Sequence, residues 1–268
     1  MRLNVTHTTT YRFDRPIRRV VQSLRLWPSQ FEGQIVIDWN VDIPGAVRGA
    51  ALRTGAGDWI ETSTVTGPLD EVSVSVTGTV ETTDLTGVLR GHRERVPPEA
   101  YMRTTRFTRP DNALKALAQE ATGGADSPLS AAHQLANAVR DAIAYTPGET
   151  DSLTTAGEAL AKGAGVCQDH AHALIAAAQT VDIPARYVVG YLHAEGSIAE
   201  ASHAWAELWV EGLGWVGFDP ANGVSPDENY IRIGSGLDAV DAALIRGVSQ
   251  GAGSEVMDVD VQVSAADQ

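Results

Sequence analysis

Gly165-Val166-Cys167-Gln168-Asp169-His170-Ala171-His172, then Ser202-His203-Ala204-Trp205-Ala206-Glu207, then Gly214-Trp215-Val216-Gly217-Phe218-Asp219-Pro220 are the stretches that decide how this chain folds. Gly163 and Gly165 break the chain ahead of the first. Val166–Val181 then reads as an Ala-rich helix, ended by Ile183-Pro184 because the residue before a proline is pushed out of the helical region. Cys167 therefore falls in the first turn of a helix. Free backbone N–H groups and the helix dipole favour an anion there, the setting in which a thiol becomes a nucleophile. The same N–H groups are candidate donors to the oxyanion of a tetrahedral intermediate. Beyond the helix the sequence reads as strands: 185–192, 203–211 and 214–220, the last two joined by a short Gly-containing connection that predicts antiparallel pairing.

A nucleophilic thiol needs a base, and the base needs a group to orient it. On the strand beginning at His203, the side chains of His203, Trp205, Glu207 and Trp209 share one face; on the next, Trp215, Gly217 and Asp219 do. If Trp205 opposes Asp219, His203 and Asp219 are diagonal neighbours about 7–8 Å apart at the backbone, within side-chain reach. Pairing Trp205 with Pro220 instead would turn Asp219 to the far face. The site thus stands or falls on one register. Taken singly, a Cys in an Ala-rich helix reads as a small core residue, a His beside Trp as structural, and Asp before Pro as a turn. Cys167, His170 and His172 also spell C-x2-H-x-H, but Cys167 and His172 splay by roughly 140° on a helix, which disfavours a metal site.

Up to about residue 85 the chain reads as strands. Leu3–Thr8 and Gln34–Val41 are rich in β-branched residues, and Val72, Val74 and Val76 alternate with Ser73 and Ser75. Residues 86–110 are rich in Arg and Pro and read as a linker or crossing segment. A helix near Asp111 presents Leu114, Leu117 and Ala121. A second has Ser127 as N-cap and Pro128 at its first position, with Leu129, Ala132, Leu135, Ala136, Val139 and Ile143 as its stripe. Met257, Val259, Val261 and Val263 alternate with polar residues and predict a final strand. The expected division is 1–85, 86–110 and 111–268.

Composition narrows the function. The chain has 268 residues, 43% of them hydrophobic, and a formal charge of −14. Residues 1–110 hold 14 Arg, no Lys and 12 acids, whereas 111–268 hold 6 bases and 22 acids. So acidic a chain repels phosphate backbones, so neither nucleic acid nor an anionic membrane is an expected partner. The single cysteine excludes an internal disulfide, and a redox sensor would want a resolving cysteine. The opening MRLNVTHTTTYRF lacks the apolar core of a signal peptide, and no apolar run approaches the ~18 residues of a membrane span, which predicts a cytoplasmic protein.

Gly165–His172, Ile183-Pro184-Ala185-Arg186-Tyr187-Val188-Val189-Gly190-Tyr191, Ser202–Glu207 and Gly214–Pro220, in this order, resemble the core of the transglutaminase-like superfamily. The N-terminal region, with His7, Tyr11 and Leu24-Arg25-Leu26-Trp27-Pro28, resembles the extra domain of bacterial members. The resemblance implies an α+β protein: an N-terminal antiparallel β domain, then a papain-like core of helices packed on an antiparallel sheet. It implies a catalytic triad at Cys167, His203 and Asp219 that attacks a carboxamide or peptide bond of a peptide or protein and passes the thioester acyl group to an amine or to water. No cofactor or metal is implied. Two alternatives remain: a peptidase or amidase acting only by hydrolysis, and a non-enzymatic binding module, against which the retention of all three residues argues. His170 stands where the family has an aromatic; three positions after Cys167 on the helix, it faces the cleft or the surface, with a non-catalytic role expected. No Trp occurs between Trp59 and Trp205, although animal transglutaminases place one near the oxyanion; Tyr145 or Gln168 is the expected substitute. Trp205 is expected to wall the cleft around His203.

Overall fold

A computed structural model describes residues 1–194, 202–251 and 253–266. The element order begins β1 (Arg2–Leu24), β2 (Gln34–Asp42), β3 (Ala46–Arg53) and β4 (Trp59–Thr82). After a short 3-10 turn at Pro98–Met102 come α1 (Asn112–Thr122), α2 (Pro128–Ala142), β5 (Ala144–Tyr145), α3 (Ala156–Lys162), β6 (Ala164–Gly165) and α4 (Cys167–Gln179). Next are β7 (Ala185–Leu192), β8 (His203–Val210), β9 (Gly214–Phe218), β10 (Tyr230–Gly236), β11 (Ile245–Gln250) and β12 (Glu255–Ala265). The α+β class expected from the sequence is the one observed.

The N-terminal sheet is built on two long antiparallel strands, β1 and β4, paired from Arg2 opposite Glu81 to Leu24 opposite Glu61. β2 and β3 line β4; β11 and β12 line β1. The alternating valines at 72–76 bury one face of β4, with Val76 fully enclosed, as a period of two requires.

Here the structure departs from the division read from sequence. The final strand exists, but β12 lies on β1 with Leu3 opposite Ala265, and β11 adds along Arg19–Leu24. Residues 245–265 thus belong to the N-terminal sheet and not to a 111–268 unit. Their alternation fixed the strand; nothing local fixed its partner.

The second sheet has the order β10-β7-β8-β9, all antiparallel. α4 packs on it, with α1, α2 and α3 around α4. Every residue of α4 from Asp169 to Gln179 is buried. A helix enclosed on all sides has to be thin, which accounts for its alanines. α3, which the sequence reading passed over, carries a capping box: the Thr155 hydroxyl accepts from the Glu158 N–H, and the Glu158 carboxylate from the Thr155 N–H. A third apolar cluster ties the sheets together: Leu3, Val5, Val80 and Val261 from the first meet Tyr191, Ile231 and Ile233 from the second. Among the described residues, no helix is long and apolar enough to cross a membrane.

Candidate active site

Cys167 is the first residue of α4 and is half-buried. Val166 before it has no side chain able to cap a helix, so Asp169 does the work: its Oδ2 accepts from the Val166 N–H at 2.8 Å and from the Thr150 hydroxyl at 2.6 Å. Gly165 is required by this arrangement, since a Cβ there would lie 2.7 Å from that of Asp169. The turn that delivers the thiol is therefore clamped from inside. The Asp169 N–H donates to the Val166 carbonyl at 3.0 Å, so the amides of Cys167 and Gln168 are the first-turn donors placed to meet an anion.

On the sheet, Ala206 opposes Phe218 and Glu207 opposes Gly217. Extending that register by one residue puts Trp205 opposite Asp219, the pairing on which the triad depended. Asp219 Oδ2 lies 2.6 Å from Nε2 of His203. Burial lowers the His203 pKa, but the hydrogen bond to Asp219 and the interaction with Cys167 outweigh it and raise the imidazole to about 10. With Nε2 on Asp219, Nδ1 is the nitrogen left for the sulfur.

Two residues that the sequence reading missed complete the carboxylate's surroundings. Asn222 Nδ2 donates to Asp219 Oδ2 at 2.7 Å, and the Tyr230 hydroxyl donates to it at 2.8 Å. Burial raises the Asp219 pKa, yet the bonds from His203, Asn222 and Tyr230 prevail and hold it below its usual value. Burial and the adjacent Asp219 charge raise the Tyr230 phenol, so it keeps its proton and remains a donor. Asn222 reaches back through the turn that follows β9, closed by the Gly223 N–H donating to the Asp219 carbonyl at 2.8 Å. An Asn three residues after the Asp of Asp-Pro is a local signal for such a turn. Tyr230 arrives from β10, and no local pattern announced it.

Trp205 is 2% exposed, stacks on His203 with ring centroids 6.3 Å apart, and meets Tyr230 edge-on. Gly190, opposite His203 on β7, leaves room for the Trp205 ring, which a Cβ would approach to 2.8 Å. Trp205 thus covers one face of the imidazole. Tyr145 is exposed on β5; partial burial, then the charges of Cys167 and Asp219, raise its phenol. Gln168 is half-buried beside Cys167, and its side chain makes no hydrogen bond among the described residues. His170 does not face the cleft. It is buried with Nδ1 2.9 Å from the Val166 carbonyl and Nε2 2.8 Å from the Ile143 carbonyl, tying the start of α4 to the segment that leads into β5. His172 lies elsewhere again, accepting from the Ala239 N–H at 3.1 Å and stacked on Phe107, so the three residues of C-x2-H-x-H do not converge.

A half-buried thiol at a helix start, set against a histidine and a carboxylate on an antiparallel sheet, defines a papain-like α+β fold. Residues 115–220 match the transglutaminase-like superfamily core, and residues 3–81 match the bacterial transglutaminase-like N-terminal region. The chain belongs to the transglutaminase-like superfamily. It is 30% identical to the uncharacterized protein ML0607 of Mycobacterium leprae over 98% of both chains. It is also 33% identical to the uncharacterized protein Rv2569c of Mycobacterium tuberculosis, over 48% of this chain and 45% of that one. A crystal structure of a proposed cysteine protease from Cytophaga hutchinsonii superposes with a TM-score of 0.75 at 23% identity, covering 100% of this chain and 92% of that chain. That likeness establishes the shared fold.

Proposed function

We propose that the protein is a cysteine acyltransferase or amidohydrolase acting on a carboxamide or peptide bond of a peptide or protein. The observation that carries this is the 2.6 Å bond between His203 and Asp219, with Cys167 interacting with the same ring. A histidine held protonated at neutral pH beside a sulfur is the setting in which a thiolate nucleophile operates.

The Cys167 sulfur attacks the carbonyl carbon. The oxyanion is received by first-turn N–H groups of α4, with the Tyr145 hydroxyl as a further donor. His203 gives its proton to the departing nitrogen as the C–N bond breaks, leaving a thioester. An amine or water then attacks, His203 takes its proton, and the sulfur leaves. Asp219 keeps the imidazole in its orientation and balances its charge throughout, with Asn222 and Tyr230 fixing the carboxylate.

The test has two parts. Iodoacetamide is expected to label Cys167 rapidly at neutral pH, and His203→Ala to slow labelling by about a hundredfold. A rate like that of a free thiol, unchanged in the variant, would overturn the triad. Incubation with an amide-containing peptide library, followed by mass spectrometry of the intact protein, should trap the acyl-enzyme. Offering an amine or only water to the trapped species separates transfer from hydrolysis.

A further inference from the structure

Away from the thiol, a cavity of about 490 Å³ opens where the N-terminal sheet, the 98–102 turn and the end of β10 meet. Small-molecule sites typically measure about 300–1,000 Å³. Its lining includes Arg25, Tyr101, Arg103, Ser235, Asp241 and Arg246. Three arginines and one aspartate thus line the same cavity, in a chain whose formal charge is −14.

The carboxylate and the cations differ in how far they are already engaged. Asp241 Oδ2 accepts from the Leu237 N–H at 3.0 Å. Arg25 is 9% exposed; its Nη1 donates to the Asp241 carbonyl, and its Nε lies 3.6 Å from Asp58 without a hydrogen bond. Asp58 is shared, since it also pairs with Arg232 and accepts from the Ser235 N–H at 2.8 Å. Arg103 and Arg246 are exposed, and neither joins an ion pair among the described residues. Arg25 is thus held in the wall by Asp58 and the Asp241 carbonyl, while Arg103 and Arg246 at the same cavity are uncommitted, and a planar guanidinium fork matches carboxylate and phosphate oxygens alike.

We propose that this cavity binds a small anion bearing two or more negatively charged oxygens, a di- or tricarboxylate or a phosphate. Calorimetric titration of the full chain with succinate, citrate, inorganic phosphate and pyrophosphate, at ionic strength fixed with chloride, tests it. At least one is expected to bind saturably with Kd on the order of 1 mM or below. Preference for the first pair or the second tells carboxylate from phosphate. Arg103→Ala combined with Arg246→Ala changes only exposed side chains and should weaken binding at least roughly tenfold. Circular dichroism of that variant confirms folding, and Arg140→Ala, an exposed arginine elsewhere, serves as a charge control and should leave binding unchanged. Absence of saturable binding by all four probes, equal affinity in the double variant, or an equal loss in the control would each overturn the proposal.

Discussion

Strand β8 carries two buried charge clusters four residues apart, and they are built to opposite ends. At Glu207 the charges are sealed. Its carboxylate receives Arg232 at 2.8 Å and Arg186 at 2.7 Å, while Arg186 also pairs with Glu94 and lies 4.0 Å over the Trp215 ring. Burial opposes the Glu207 charge, but the two arginines hold its pKa well below the usual carboxylate range. At His203 the charges are matched on one side only. Asp219 is enclosed, while the His203 side chain keeps 13% exposure, and the half-buried Cys167 contributes to its raised pKa. Burial and ion pairing alone therefore do not separate the two clusters; what does is that the proposed site keeps a proton carrier open on one side.

The difference can be broken most sharply at the thiol. Cys167→Ala should abolish acyl-enzyme formation and leave the melting temperature within a few degrees of the parent. Surviving turnover would show that the reactive residue lies elsewhere. Glu207→Gln should act in the reverse sense, destabilising the fold by about 3–5 kcal/mol because Arg186 and Arg232 lose their shared anion. Urea denaturation measures this, and unchanged stability would mean that the sealed cluster is not structural.

Asp219→Asn should slow acylation on the order of a thousandfold. It should also move the pH profile. His203 has a raised pKa, so in the parent its imidazolium persists through neutral pH and is lost only as pH rises through about 10. Removing the Asp219 charge should bring that alkaline limit down toward neutrality, and a limit that stays near 10 would place its cause elsewhere. The smallest effect is expected from Tyr230→Phe. It deletes one of three side-chain donors to Asp219 and should lower the acylation rate about fivefold to tenfold, on the order of 1 kcal/mol.

How much of this was legible depended on range. The placement of Cys167, His203 and Asp219 was legible because each follows a local rule: the start of a helix, alternation along a strand, and a short hairpin that left two registers to weigh, of which the structure takes the one that sets Trp205 opposite Asp219. Tyr230 comes from β10, which pairs with β7, so its approach to Asp219 depends on the order of the sheet. His170, three residues after Cys167 on the helix, read as facing the cleft or the surface; it is buried instead, because the carbonyl of Ile143, from another segment, takes its Nε2. The partner of β12 was hidden for the same reason. Alternation specifies a face and says nothing about which distant edge it will cover.

That last strand pair has a consequence for the protein during synthesis. β1 and β4 are complete once residue 82 has been made, yet the edge of β1 is covered only by β11 and β12, from residue 245 onward. At about 5–20 residues per second, the roughly 160 residues between them take about 8–32 s to translate. Throughout that interval a long β1 edge stands open in a nascent polypeptide, a template for pairing with a neighbour on the same messenger. Arg15, Arg18 and Arg19 of that strand are exposed and join no ion pair among the described residues, and their like charge opposes the pairing of two such strands.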